Sequence, residues 1–150
     1  MGSEMCIRDS YWRTAEAAID YRHAFHDAMN GVDLVLCPAY GVPAVHHGAS
    51  ADLPVAGAYS LLAPVLGFPA GVVPVTRVRA GEETDRPLTR DRVEGTARRA
   101  EQGSAGLPVG VQLIARPWQE HVALAVMAAV ERAARAQPDY PNTPAKVTGR

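Results

Sequence analysis

Residues 67–76, which read GFPAGVVPVT, constrain the fold more than any other part of the chain. Val72, Val73 and Val75 are β-branched, and such side chains favour an extended strand over a helix. The run is apolar at both alternations, a pattern typical of a strand covered on both faces of its sheet. Pro74 has no amide hydrogen to donate, so the strand is predicted to place it at an edge or a bulge.

A tight turn is predicted directly before this strand, because Gly67, Pro69 and Gly71 follow one another closely. Glycine accepts backbone conformations that other residues avoid, and proline fixes the chain direction. Such a turn would let the main chain approach a ligand or another chain. Close packing inside the domain would produce the same pattern, so both interpretations stay open.

The remaining pattern predicts an α/β fold in which helices and strands alternate. The helices are expected at residues 11–30, at 55–66 and from Pro117 onward, and the other strands at 32–38 and 107–115. Residues 79–106 are strongly polar and are expected to form a surface excursion, with a helix around 90–100. Three strands that are apolar on both faces need more cover than these helices supply. We therefore expect a mixed β-sheet flanked by helices that is incomplete in this chain.

Three segments of different character divide the chain. Residues 1–10 (MGSEMCIRDS) match nothing around them and are interpreted as an unrelated or artefactual N-terminus, a disordered start being the alternative. Residues 11–136 carry the α/β pattern. Residues 137–150 contain three prolines and no periodicity, which predicts a flexible tail.

The net charge of −1 argues against nucleic acid as a partner and against an anionic membrane as the main one. There is no apolar run of about 18 residues, so no membrane-spanning helix is predicted. The two cysteines have neither metal-site spacing nor the number for a disulfide framework, and we expect a reducing, cytoplasmic location. Contact with a membrane surface and homodimer formation are left open.

Three blocks of the chain resemble one family, in the same order and at similar spacing. They are VDLVLCP at 32–38, YSLL at 59–62 with FPAGVVPVT at 68–76, and GLPVGVQLI at 106–114 followed by PWQE at 117–120. Together they resemble the C-terminal part of the amidase-signature hydrolases, and FPAGVVPVT and PWQE look most like the fatty acid amide hydrolase branch. The resemblance covers residues 11–136.

The resemblance implies a parent enzyme that hydrolyses small-molecule carboxamides with a Ser–cis-Ser–Lys relay and without a cofactor or a metal. This chain lacks the Gly-flanked serine pair, and its only lysine, Lys146, lies in the tail. Its five serines are isolated from one another in the sequence. We therefore expect no catalytic residue here, an inactive C-terminal fragment, and the missing N-terminal part of the same domain as its partner. The alternative is a small, non-catalytic binding or scaffold protein derived from an amidase.

Two positions can be carried over from the family to this chain. In fatty acid amide hydrolases the helix before the FPAG turn helps to line the acyl-chain channel, and the resemblance places Gly57 and Leu61 at such positions. An ordinary core position is the alternative interpretation of Leu61.

Other chemically suggestive residues favour a structural interpretation. His46, His47 and Asp52 could suggest a metal site, but adjacent residues of an extended segment point in opposite directions, so no metal is expected. Cys37 lies in an apolar strand and is predicted to be a buried, inert thiol. Trp118, at the start of an amphipathic helix, is predicted to anchor that helix in the core.

Overall fold

The computed structural model describes residues 2–142. Its elements are α1 (Gly2–Ala28), β1 (Leu34–Pro38), α2 (Ala58–Leu66), β2 (Ala70–Arg77), α3 (Arg92–Glu101), β3 (Pro108–Ala115) and α4 (Glu120–Arg135). Two short 3₁₀ helices, Ala49–Asp52 and Pro54–Gly57, lead into α2. The predicted α/β class and the order of the elements are confirmed.

The three strands form one sheet in the order β1-β3-β2, and both strand pairs are antiparallel. The stretch richest in valine, β2, is therefore an edge strand. A bulge interrupts its pairing between Pro74 and Thr76. Pro74 thus lies both at an edge and at a bulge, as its missing amide hydrogen predicts.

Helices cover part of each face of this sheet. On one face α4 packs across β2 and β3, over the buried side chains of Leu113 and Val73. The opposite face carries Ile114, which packs with the end of α1 and with α2 in a core that also contains Met29, Ala63, Leu66 and Phe68. Leu113 and Ile114 are both completely buried, so the sheet is a true middle layer at this end.

The strands are not covered on both faces along their whole length, in agreement with the predicted incomplete sheet, and Leu36 and Val72 show this most clearly. Leu36 of β1 is 55% exposed, because α4 lies over β2 and β3 and β1 stays outside it. Val72 of β2 is 51% exposed on the opposite face. Their partners across the sheet are Leu113 and Gln112, consecutive residues of β3, so each face is left incompletely covered.

The first helix is longer than the sequence pattern predicts. It begins at Gly2 instead of residue 11, and residues 3–10 contain no proline or glycine that would interrupt it. Residues 7–20 of this helix are mostly exposed, and Ile7, Tyr11 and Trp12 are among the exposed side chains. Within the described residues, no helix has both the length and the apolar character needed to cross a membrane.

The first residues after α4, which belong to the stretch predicted to be a flexible tail, pack against that helix. Tyr140 is buried, and its hydroxyl donates a hydrogen bond to Glu131 Oε1 at 3.3 Å. The Arg135 guanidinium lies 5.8 Å from the centre of the Tyr140 ring. An aromatic ring with a polar tip can thus hold residues 137–142. Residues 143–150, including Lys146, lie outside the described part of the chain.

The polar excursion contains α3, close to the predicted position, and ion pairs fix it. Asp91 caps the helix by accepting a hydrogen bond from the Glu94 amide at 2.9 Å. Arg86 contacts Glu101 and Glu94, each at 2.7 Å. The hydrogen bond to Glu101 raises the pKa of Arg86 most, and the hydrogen bond to Glu94 raises it further. The excursion is therefore an ordered surface element.

Candidate functional site

Gly57, the first predicted channel residue, ends the 3₁₀ turn before α2 and is buried. A Cβ atom built on it would lie 3.3 Å from Cε2 of Tyr40, so the aromatic ring packs directly on this backbone. Its carbonyl oxygen accepts a hydrogen bond from Ser60 Oγ at 2.9 Å. A larger residue at this position would require the Tyr40 ring to shift by a few tenths of an ångström.

Leu61, the second predicted channel residue, lies one turn further along on the opposite side of α2 from the core. Helix periodicity places it with Ala58 and Val65, and we call these three residues the outer face of α2. Leu61 is 58% exposed and Val65 is 49% exposed, whereas Leu66 on the inner side is fully buried. Leu61 is therefore not a core residue of this chain.

A cavity of about 490 Å³ lies beside this region, between the loop after β1 and the beginning of β3. It is lined by residues 39–45 and 108–110, so Gly57 lies behind its Tyr40 wall and Leu61 does not contribute to it. A backbone hydrogen bond of 2.8 Å from Gly41 to Ala56 holds the loop against the 3₁₀ turn. The structure thus places the two predicted channel residues near each other along the chain but not in one cavity.

The lining of this cavity limits its chemistry. Of the described residues that line it, Tyr40 alone contributes a polar side chain, and its hydroxyl donates to the Leu53 carbonyl at 3.4 Å. Among the described residues that line the wall there is neither a nucleophile with a base nor a set of metal ligands. Such a lining can accept an apolar group by excluding water from it.

Gln112 is a residue of this region that the sequence interpretation missed. It lies on β3, is only 4% exposed, and its side-chain nitrogen donates to the Tyr59 carbonyl at 3.0 Å. The same nitrogen lies 3.7 Å from Cys37 Sγ. Its signal in the sequence is a polar side chain in the otherwise apolar run 107–115, and a buried amide of this kind needs a partner.

Trp118 does not anchor α4 in the core, so that prediction is wrong. The helix begins at Glu120, and Trp118 precedes it with φ of 65°, a left-handed conformation rare for a bulky residue. This conformation turns the chain before the helix starts and leaves the indole 89% exposed. Trp118 and Pro117 line one side of a cavity of about 500 Å³ whose other side is the turn at residues 66–69.

Cys37 is half-buried instead of buried, because β1 is an edge strand. The remaining polar candidates are dispersed. His46 and His47 are exposed, and Asp52 forms an ion pair of 2.7 Å with Arg92. Among residues 2–142, no group of three histidine, cysteine or acidic side chains is arranged to hold a metal ion.

The described serines show no relay geometry of the kind expected for an amide hydrolase. Ser60 Oγ is engaged by the Gly57 carbonyl, and Ser104 Oγ is buried without a hydrogen-bond partner. Neither has a lysine beside it in the described residues, since Lys146 is the only lysine of the chain. The region thus offers two apolar surfaces, the cavity and the outer face of α2, and a hydrogen bond from Gln112 that connects the sheet to α2.

Comparison with known proteins agrees with the resemblance read from the motifs. The sequence model of the family described as Amidase matches residues 2–124. Fatty acid amide hydrolase 1 of Caenorhabditis elegans is 36% identical over 132 residues, which are 83% of this chain and 23% of the relative.

Two further relatives extend this comparison. Fatty-acid amide hydrolase 1 of Sus scrofa is 38% identical over 127 residues, 81% of this chain and 22% of the relative. Fatty acid amide hydrolase of Medicago truncatula is 29% identical over 119 residues, 73% of this chain and 16% of the relative. The chain therefore spans less than a quarter of the length of each of these relatives.

Proposed function

This chain belongs to the amidase family, and on that premise we propose that it is the C-terminal part of a hydrolase that cleaves fatty acid amides. Two relatives named as fatty acid amide hydrolases align with more than four fifths of it. The observation that carries the proposal is the exposed outer face of α2, since Leu61 falls at a position predicted to line the acyl-chain channel.

In this proposal the chain supplies scaffold and channel, and the preceding part of the enzyme supplies the chemistry. A serine attacks the amide carbonyl while a lysine takes its proton through a second serine; the proton passes to the leaving amine as the C–N bond breaks, and water then hydrolyses the acyl-serine to the acid. The lysine must be held where its amine can lose a proton, which requires burial or a nearby positive charge. Residues 2–142 contain no lysine, so the relay would come entirely from the preceding part.

The outer face of α2 is suited to contact an acyl chain. Leu61 and Val65 present apolar side chains that are about half exposed among the described residues. Each methylene group of a substrate that leaves water for such a surface contributes about 0.8 kcal/mol. Long acyl chains would therefore gain more from this face than short ones.

The second candidate function is a small binding or scaffold protein without chemistry. The cavity of about 490 Å³ favours it, because its lining comes entirely from this chain. Its size lies within the range of ordinary small-molecule pockets. This candidate predicts ligand binding by the chain alone, whereas the hydrolase proposal requires the preceding part of the enzyme.

Hydrolysis of a long-chain primary amide tests the proposal. The chain is produced alone, and separately together with the preceding part of the Sus scrofa relative, whose aligned region it replaces. We expect turnover only when both parts are present. Turnover by the chain alone that disappears on Ser60→Ala or Ser104→Ala would place the chemistry in this chain and contradict the proposal. A stable, inactive complex that binds the amide would favour the scaffold candidate.

A further inference from the structure

Gln112 is a buried amide at the centre of an apolar sheet. Its neighbours along β3 are Val111 and Leu113, and its partners in the adjacent strands are Cys37 and Val72. Removing an amide from water without a hydrogen bond costs at least about 1–3 kcal/mol. A buried glutamine therefore needs hydrogen-bond partners at this position, and Gln112 has one in the Tyr59 carbonyl.

The bonding partners fix the orientation of the amide. The Tyr59 carbonyl oxygen can only accept, so the side chain must turn its NH₂ group, at 3.0 Å, toward α2. A hydrogen on the same nitrogen can point to Cys37 Sγ at 3.7 Å. Gln112 thus connects the middle strand to the first turn of α2 and, more weakly, to the edge strand β1.

The Tyr40 ring and the hydrogen bond from Gly41 to Ala56 hold the segment before α2, but neither connects the first turn of α2 to the sheet. The helix has no side-chain cap at Gly57, and Leu61 in this turn faces outward. The C-terminal end, in contrast, is held by the fully buried Leu66 and by a Gly67 cap whose amide donates to the Ala63 carbonyl at 2.8 Å. The Gln112 bond is therefore the polar contact between the sheet and the end of α2 that carries Leu61.

We propose that Gln112 is a positioning residue for the substrate channel. Its hydrogen bond to the Tyr59 carbonyl sets the distance of the first turn of α2 from the sheet, and with it the place of Leu61 two residues later. A displacement of this turn changes the width of the channel and hence the preference for acyl-chain length. The proposal rests on the proposed function and adds a residue that does not itself touch the substrate.

The test uses the assembled enzyme, in which this chain follows the preceding part of the Sus scrofa relative. Gln112→Met keeps the length and burial of the side chain and removes the donor. Val73→Ala, on the sheet face away from α2, is the matched control because it weakens the fold without touching this turn. The ratio of kcat/KM for a long-chain and a short-chain amide is measured for each variant.

We expect Gln112→Met to change this ratio about tenfold, mainly through the KM of the long amide, because a misfit of about one methylene group in an apolar pocket shifts discrimination by about 10- to 200-fold. We expect Val73→Ala to lower both values equally. The proposal would be overturned if the ratio is unchanged in Gln112→Met, or if Val73→Ala changes the ratio by as much as Gln112→Met does. A role in stability alone reduces the active fraction for both substrates alike and leaves the ratio unchanged.

Amide hydrogen exchange over residues 59–66 separates this proposal from the proposed function. In the assembled protein, Gln112→Met should accelerate exchange in the first turn of α2 while β3 keeps its protection. Unchanged exchange would show that the hydrogen bond from Gln112 to Tyr59 does not hold the first turn of α2, whatever the activity. If the assembled protein without substitutions hydrolyses no long amide, the proposed function is refuted, and the selectivity role of Gln112 with it. The exchange result could then still support the hydrogen bond from Gln112 as a structural contact.

Discussion

Gly110 and Gly71 both lie where a neighbouring group comes close, and the groups differ in how easily they can move. A Cβ on Gly110 would lie 2.9 Å from Val72 Cγ1 and 3.1 Å from the Val73 carbonyl oxygen, which belongs to the paired strand. A Cβ on Gly71 would lie 2.5 Å from Met127 Sδ, near the end of a flexible side chain. This contact supports the packing interpretation of Gly71 over the ligand one.

We predict that Gly110→Ala destabilises the protein more than Gly71→Ala. A backbone carbonyl in a strand pair can shift only by disturbing the ladder, and such overpacking costs about 1–3 kcal/mol. Met127 can change rotamer instead. Urea unfolding of both variants in the assembled protein measures the difference, and equal losses would show that α4 is as rigid a neighbour as the strand.

Leu61→Trp tests the channel position directly. In the complete enzyme it should penalise long acyl amides more than short ones, by roughly 1–3 kcal/mol, because a bulky ring fills an apolar slot. Leu124→Trp is the control, since Leu124 lies on α4 and is similarly exposed, at 63%. The same loss for both chain lengths in Leu61→Trp would remove Leu61 from the channel.

At the scale of elements, the sequence predicts best where one residue type decides the conformation. Pro74 could be placed at an edge or bulge because it cannot donate, and Gly67 in a turn because it accepts φ of 69°. The start of α4 could not be predicted, because the left-handed conformation of Trp118 has no sequence signal. Gln112 was overlooked because its partner, the Tyr59 carbonyl, is a backbone group more than 50 residues away that periodicity does not reveal.

The contact between α4 and the residues after it should depend on pH. The hydrogen bond from Arg135, together with its charge, lowers the pKa of Glu131 below its usual value. A carboxyl group with a lowered pKa in the folded state stabilises that state above its unfolded pKa, and the contribution is lost as pH falls through the folded pKa. Both side chains are exposed, so salt should weaken the effect.

We therefore predict that acid loosens residues 137–142 before it affects the sheet. The amide exchange of Tyr140 and its neighbours should accelerate as pH falls through the titration of Glu131, after correction for intrinsic exchange. Glu131→Gln should remove this pH dependence, with Glu120→Gln at the other end of α4 as the control. A pH dependence that survives Glu131→Gln would assign the effect to another group.

At the scale of the whole molecule, the sheet and α2 leave apolar side chains without cover. Leu36, Leu61 and Val72 are each more than half exposed, on β1, α2 and β2. Both edge strands of the sheet, β1 and β2, also lack an outer partner among the described residues. Open edges of this kind promote association with other strands. The apolar pattern of the strands predicted the missing cover, although it could not show which residues would lack it.

The size of the missing cover matters for stability. If about 400 Å² of apolar surface remains in water, the lost stabilisation is about 10 kcal/mol at about 25 cal/mol per Å². This is comparable with the free energy of unfolding of an ordinary domain. In the proposed enzyme, the preceding part is therefore required for a stable fold as well as for catalysis.

Binding of the dye ANS, followed together with urea unfolding, tests this claim most directly. The 150-residue chain is measured alone and after co-expression with the preceding part of the Sus scrofa relative. We predict strong dye binding and a broad, non-cooperative transition for the chain alone, and a one-to-one complex with little dye binding and a single sharp transition after co-expression. A chain that is monomeric alone, binds no dye and unfolds cooperatively would contradict the account and favour the small binding protein.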